Sequence, residues 1–169
     1  MKRCTFSVAL IATVILFSCK SQSAGNAKPA DGFKLSKLVY HVSRCNGSCP
    51  SIDLEIDSSK AVYVNREFYK TKSELDSANS GRFKGILTRE QDSQLMEVLK
   101  KSNLDSLEFA PVGITDVSET TIIIYYNGKR KYLTSARPPA AANDLITLLK
   151  SIGGDKGLQR TDEIKELEN

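Results

Sequence analysis

The chain has no tryptophan, one histidine (His41), two methionines and five prolines among its 169 residues. A single histidine cannot fill several zinc-ligand positions and leaves the hydrolase templates without a base. Gly-x-Ser-x-Gly, His-Glu-x-x-His and a glycine-rich phosphate loop are also missing. Charge of one sign is equally lacking: 24 Lys and Arg stand against 20 Asp and Glu, a formal net charge of +4, so no nucleic-acid partner is implied. No hydrophobic run is long enough to span a bilayer. The longest, Val8 to Phe17, is interrupted only by Thr13 and as a helix covers roughly 15 Å, about half of a ~30 Å hydrocarbon core. What remains, 40% hydrophobic and 26% charged, is the profile of one modest globular domain.

Lys2 and Arg3 followed by that short apolar run form a secretory signal peptide over residues 1–18. Leu16-Phe17-Ser18-Cys19 resembles a bacterial lipobox, although Phe17 departs from the small or β-branched residue usual there. The resemblance implies cleavage before Cys19 and attachment of diacylglycerol to its sulfur; the alternative is an ordinary signal peptide ending near a cysteine. Residues 19–34 are small and polar with no repeating apolar position, and read as a flexible tether. Several acyl chains on one residue would hold the protein on a membrane durably. The expected location is the bacterial envelope, with the outer membrane favoured over the inner.

The folded domain is expected over residues 35–153. Leu38, Tyr40 and Val42 alternate with His41, Ser43 and Cys45, and Ile52, Leu54 and Ile56 alternate with Asp53, Glu55 and Asp57. Each segment is a strand with one apolar face. Asp57 to Lys60 form a turn, Ala61 to Asn65 a third strand, Thr71 to Ser80 a polar loop and Arg82 to Leu87 a fourth strand. Thr88 with Gln91 is a capping box that starts a helix at Arg89, with Leu95 and Leu99 on its buried stripe. Asn127-Gly128 between two β-rich runs predicts a type I′ hairpin from Thr120 to Thr134. Ile122 and Ile124 should face the core near Leu145 and Leu149 of a second helix, which follows Pro138-Pro139 and ends at Gly153-Gly154. The polar tail, residues 154–169, is expected to be frayed or a short helix capped by Thr161. The sum is an α+β fold, an antiparallel sheet of five to six strands packed on one side by two α-helices.

With Cys4 in the signal peptide and Cys19 lipidated, Cys45 and Cys49 are the remaining thiols in an oxidising compartment, and they should pair. Such a small ring is worth about 2 kcal/mol, a staple rather than the source of the fold. A competing reading is chemical. Cys45-x-x-x-Cys49-Pro50 resembles the copper-binding motif of the Sco-type assembly proteins, which implies two thiolates and a histidine as ligands, here His41, or thiol-redox chemistry. This chain departs from that pattern, because its histidine lies upstream and a strand rather than a helix follows Pro50.

A second resemblance covers more of the chain. Cys45-x-Gly47-x-Cys49-Pro50, an alternating strand, a turn and β segment, Leu87-Thr88 entering a helix, Thr115-Asp116 before a hairpin and a proline-led last helix together resemble an uncharacterised family of bacterial lipoprotein domains. That family is of the domain-of-unknown-function 6438 type, and the likeness runs from Leu38 to Ile152. Ile52 stands where an aromatic residue is expected, Ser59 replaces a turn glycine, and the Thr71 to Ser80 loop is longer. The resemblance implies the fold and no activity.

Other candidates are read as structural. Asp53, Glu55 and Asp57 could bind a hard cation but more simply form a solvated outer face. Asp116 with Glu119 could act as an acid pair, with a turn or cap role for Asp116 preferred. Lys129-Arg130-Lys131 reads as a solvated hairpin tip, and the Asn46-Gly47-Ser48 sequon carries little meaning in a bacterial protein. No catalytic residue, metal or cofactor is implied. The expected role is a non-catalytic interaction or structural module with an envelope partner, and the alternative is copper binding or thiol redox through Cys45 and Cys49.

Overall fold

A computed structural model describes residues 32–112 and 116–169. The segment expected to be signal peptide, most of the expected tether with Cys19, and Thr115 lie outside the described residues. Strands β1 (Leu35–Val42), β2 (Ser51–Asp57), β3 (Ala61–Glu67) and β4 (Gly81–Ile86) form an antiparallel meander. Its front face joins the alternating apolar residues in register: Tyr40 lies opposite Leu54, and Leu54 opposite Val64. After helix α1 (Arg89–Lys101), the chain crosses to the other side of β1, where β5 (Thr120–Tyr126) and β6 (Lys129–Ser135) add a hairpin. A 3-10 turn (Ala140–Ala142) leads into α2 (Asn143–Gly153), and β7 (Gln159–Arg160) pairs with β4. The sheet order is β6-β5-β1-β2-β3-β4-β7. The fold is α+β, and the sheet exceeds the expected strand count through the two-residue β7.

Local chemistry sets these boundaries. Gln91 donates its backbone N–H to Thr88 Oγ1 at 3.1 Å, and Thr88 N–H returns to Gln91 Oε1 at 2.9 Å, completing the capping box. Asp57 Oδ1 accepts from Ser59 N–H at 2.8 Å, Ser59 Oγ at 2.6 Å and Ala61 N–H at 3.1 Å, which closes the β2–β3 turn without a glycine at position 59. The left-handed residue of that turn is Lys60. Asn127 (φ 50°) and Gly128 (φ 75°) supply the positive φ pair between β5 and β6.

The helices bury their apolar stripes against the front face. Leu95 and Leu99 of α1 and Leu145, Leu149 and Ile152 of α2 join Leu38, Tyr40, Leu54, Ile122 and Ile124 in one core. Packing is close enough that a Cβ on Gly153 would sit 2.8 Å from Ile52 Cγ2, so α2 must end in glycine where it meets β2. Tyr40 is fully buried here, and its hydroxyl has no partner among the described residues. A buried leucine cut back to alanine costs about 2–5 kcal/mol, so the core outweighs any single staple.

Arg66 pins the edge of this core. It is 3% exposed and stacks on Phe83 at 4.0 Å. Its Nη1 donates to Gly153 O at 2.6 Å and Asp155 O at 3.1 Å, and its Nε donates to Asn79 O at 3.0 Å. A cation thereby meets carbonyls at the negative end of α2, where the helix dipole favours it. The Asp155 carboxylate turns the other way, accepting from Gln91 Nε2 at 2.8 Å and tying the end of α2 to the start of α1.

Residues 154–169 are neither frayed nor helical. Leu158 fits against Gly85, where a Cβ would come within 2.7 Å of its Cδ2, and Thr161 N–H donates to Arg82 O at 3.0 Å. Residues 161–169 then run without regular structure across the back of the sheet, held by side chains of β1, β2, β3, β4, β5 and β6. The physical reason is that the back face is not fully polar, so it needs a cover.

Replacing Asn127-Gly128 with Val-Val should cost roughly 2–4 kcal/mol, because branched side chains resist positive φ. The loss includes the Asn127 Oδ1 contact from Lys34 N–H at 2.7 Å. Urea unfolding measures it, and an unchanged midpoint would contradict the role given to the turn.

Candidate functional site

The β1–β2 connection carries the disulfide. Cys45 and Cys49 are bonded, with Cα atoms 5.5 Å apart, and both are partly exposed. The loop is docked rather than free. Ser43 N–H donates to Glu119 O at 2.9 Å, Glu119 N–H returns to Ser43 Oγ at 2.8 Å, and Asn46 N–H reaches Asp116 O at 3.3 Å. Arg44 lies over the Tyr69 ring at 4.0 Å and donates to Lys72 O. The staple therefore fixes a junction between the β1–β2 loop, the β3–β4 loop and the entry to β5.

On the back face, one cross-strand row runs Tyr132, Ile123, Val39, Glu55, Tyr63, Lys84. Val39 and Ile123 are fully buried, yet neither belongs to the front core. Residues 161–169 cross this face as a strap. Near its start, Tyr63 Oη donates to Glu163 O at 3.0 Å and Lys84 pairs with Glu163 at 3.3 Å. Mid-strap, Lys165 pairs with Glu55 at 2.7 Å. At Glu168 the contacts converge: Lys37 Nζ donates to Oε2 at 2.7 Å, and Tyr125 Oη to Oε1 at 2.7 Å. Arg130 Nε and Nη2 each lie 3.0 Å from Oε1.

His41 reads the backbone of the same residue. Its Nε2 lies 2.7 Å from Glu168 O and its Nδ1 lies 2.9 Å from Asp53 Oδ1. Both partners are acceptors, so both ring nitrogens must donate and the imidazolium fits the site best. Burial opposes that charge, but the bond and charge of Asp53 and the Glu168 carbonyl outweigh it and raise the His41 pKa. The hydrogen bonds from Lys37, Tyr125 and Arg130 hold the Glu168 carboxyl down at about 2.

These contacts revise several expectations. Asp53, Glu55 and Asp57 are not simply a solvated face: Glu55 is 8% exposed, and the partly exposed Asp53 and Asp57 each have a structural partner of their own. The basic hairpin tip is engaged as well, Lys129 with Asp105 at 2.8 Å and Arg130 with Glu168. Asp116 takes a positive φ (67°), which fits the turn role preferred for it, and Glu119 Oε1 accepts from Thr134 Oγ1 at 3.1 Å. His41 is committed to Asp53 and Glu168 rather than to the cysteines. Among the described residues, no group of three His, Cys, Asp or Glu side chains is arranged to hold a metal ion.

Sequence reasoning missed Lys37, Tyr63, Tyr125, Arg130, Lys165 and Glu168. A signal was present in the unbroken triplets Leu38-Val39-Tyr40 and Ile122-Ile123-Ile124, which mark strands buried on both faces. Residues 36–153 match a family described as a domain of unknown function, DUF6438. No curated protein matches the chain. The family match includes the receiving residues of the back face and ends before the strap.

The grip on the strap should depend on pH with two limits of opposite sign. Glu168 has a depressed pKa, so its contribution is complete above its ordinary 4.5 and is lost as pH falls toward about 2. His41 has a raised pKa, so its contribution is complete below 6.5 and is lost as pH rises through the higher bound-state value. Hydrogen-exchange protection of the Lys165 amide, which donates to Tyr63 Oη at 3.3 Å, should therefore peak between pH 4.5 and 6.5 after correction for intrinsic exchange. A flat profile from about pH 2 to 9 would contradict this.

Proposed function

We propose, from the premise that the chain belongs to the DUF6438 family, that it is a lipid-anchored protein of the bacterial envelope. In this reading its folded domain serves as a non-catalytic interaction or structural module. The observation that carries the role is the commitment of its reactive side chains to structural partners. Both nitrogens of His41 hold strand and strap together, and both sulfurs of Cys45 and Cys49 are used in the staple. Support for the anchor comes from the short apolar run before Leu16-Phe17-Ser18-Cys19 and the small polar residues after it. Acyl chains on Cys19 would keep the domain at a membrane surface, with residues 19–34 as the spacer.

Two measurements test the two halves of this reading. Cells fed a labelled fatty acid should incorporate label into the native protein and none into Cys19→Ala, which should accumulate as an uncleaved or mislocalised precursor. Label on Cys19→Ala would refute the anchor. For the domain, replacing both Cys45 and Cys49 with Ser should lower stability by about 2 kcal/mol while leaving cross-linked envelope partners unchanged at temperatures where the protein is folded. Two free thiols and stoichiometric copper in protein purified without reductant would instead establish the copper or thiol-redox reading, in which soft thiolates bind the metal.

A further inference from the structure

The strap meets its groove as a ligand meets a receptor. Lys37 from β1, Tyr125 from β5 and Arg130 from β6 converge on both carboxylate oxygens of Glu168, while His41 takes the carbonyl of the same residue. A lone anion would use only the first set; simultaneous reading of side chain and backbone selects a glutamate in an extended chain. From this convergence we propose that the back face of the sheet is a docking site for an extended, carboxylate-bearing segment of a partner protein, with residues 161–169 as its tethered occupant in this structure.

Three observations support an exchangeable occupant. Most residues of the strap are exposed, and Ile164, at 75% exposed, buries little apolar surface against the sheet. Its hold is mainly polar, through pairs such as Lys84–Glu163 in which both side chains are about half exposed, the class of contact that solvent weakens most. The strap also leaves the groove incompletely filled. A cavity of about 660 Å³ opens against Tyr63, Lys84 and the 73% exposed Ile86, and another of about 350 Å³ lies beside His41, Asp53 and Asn65. A partner could keep the glutamate contact and add apolar contact at Ile86. Charge complementarity defines its chemistry, since the cradle offers Lys37 and Arg130 to an acidic side chain while His41, held by Asp53, takes the carbonyl beside it.

This inference rests on the interaction half of the proposed function, and a peptide assay can fail while the labelling of Cys19 succeeds. The probe is a fluorescent peptide of residues 161–169, titrated by anisotropy at pH 6 into the full chain and into full-length Glu168→Gln. The variant should bind the peptide at least tenfold more tightly than the unaltered chain, because its own strap competes less well. A peptide carrying Gln at position 168 should lose at least tenfold, and adding Arg130→Ala to the variant should lose a similar factor. Equal binding of the Glu and Gln peptides, or no gain in Glu168→Gln protein whose circular dichroism and melting are native, would overturn the proposal. Sedimentation showing concentration-dependent dimers of the unaltered chain with exchanged straps would also overturn it, by making a second copy the occupant.

Discussion

A strand flanked by strands has only its two faces left to bury, and in β1 and β5 both faces carry apolar side chains. Leu38, Tyr40, Ile122 and Ile124 point to the front, whereas Val39 and Ile123 point to the back. Two helices satisfy the first set. The second needs a separate cover, and the chain supplies it after α2 by returning along the edge of β4 and crossing the whole sheet. The order of elements follows from this demand: α2 must end near β3 so that the remaining chain can reach the back.

Arg66 makes that route possible. The end of α2 leaves carbonyls that would otherwise lie unpartnered at a buried junction, and the guanidinium supplies donors to two of them while packing on Phe83. Asp155 then faces α1 through Gln91, the same residue that completes the α1 capping box. A helix start, a helix end and an inner strand are fixed at one place, immediately before the chain turns to the back.

The front half of this architecture was legible because each signal was local. Period-two alternation marked β1 and β2, Thr88 with Gln91 marked the start of α1, and Asn127-Gly128 marked the hairpin. The cysteine pair was legible from chemistry and spacing. The strap was not, because its residues bury little of their own surface and have no period. Their placement depends on partners far away in sequence, such as Lys37 with Glu168 and Tyr63 with Glu163. Among the acids of β2, Glu55 was misread for the same reason: alternation assigns it to the outer face correctly, but cannot reveal that the strap covers it there.

The two ends of the sheet are closed to further growth by different means. Beyond β4 lies β7, a paired strand of two residues, too short to template another chain. Beyond β5 lies β6, which opens with Lys129, Arg130 and Lys131, and a new strand laid alongside would have to approach those cations. Short edges and edge cations are the devices by which antiparallel sheets avoid joining end to end. Among the described residues, a second copy approaching either edge therefore meets a strand too short to template it or one that begins with three cations.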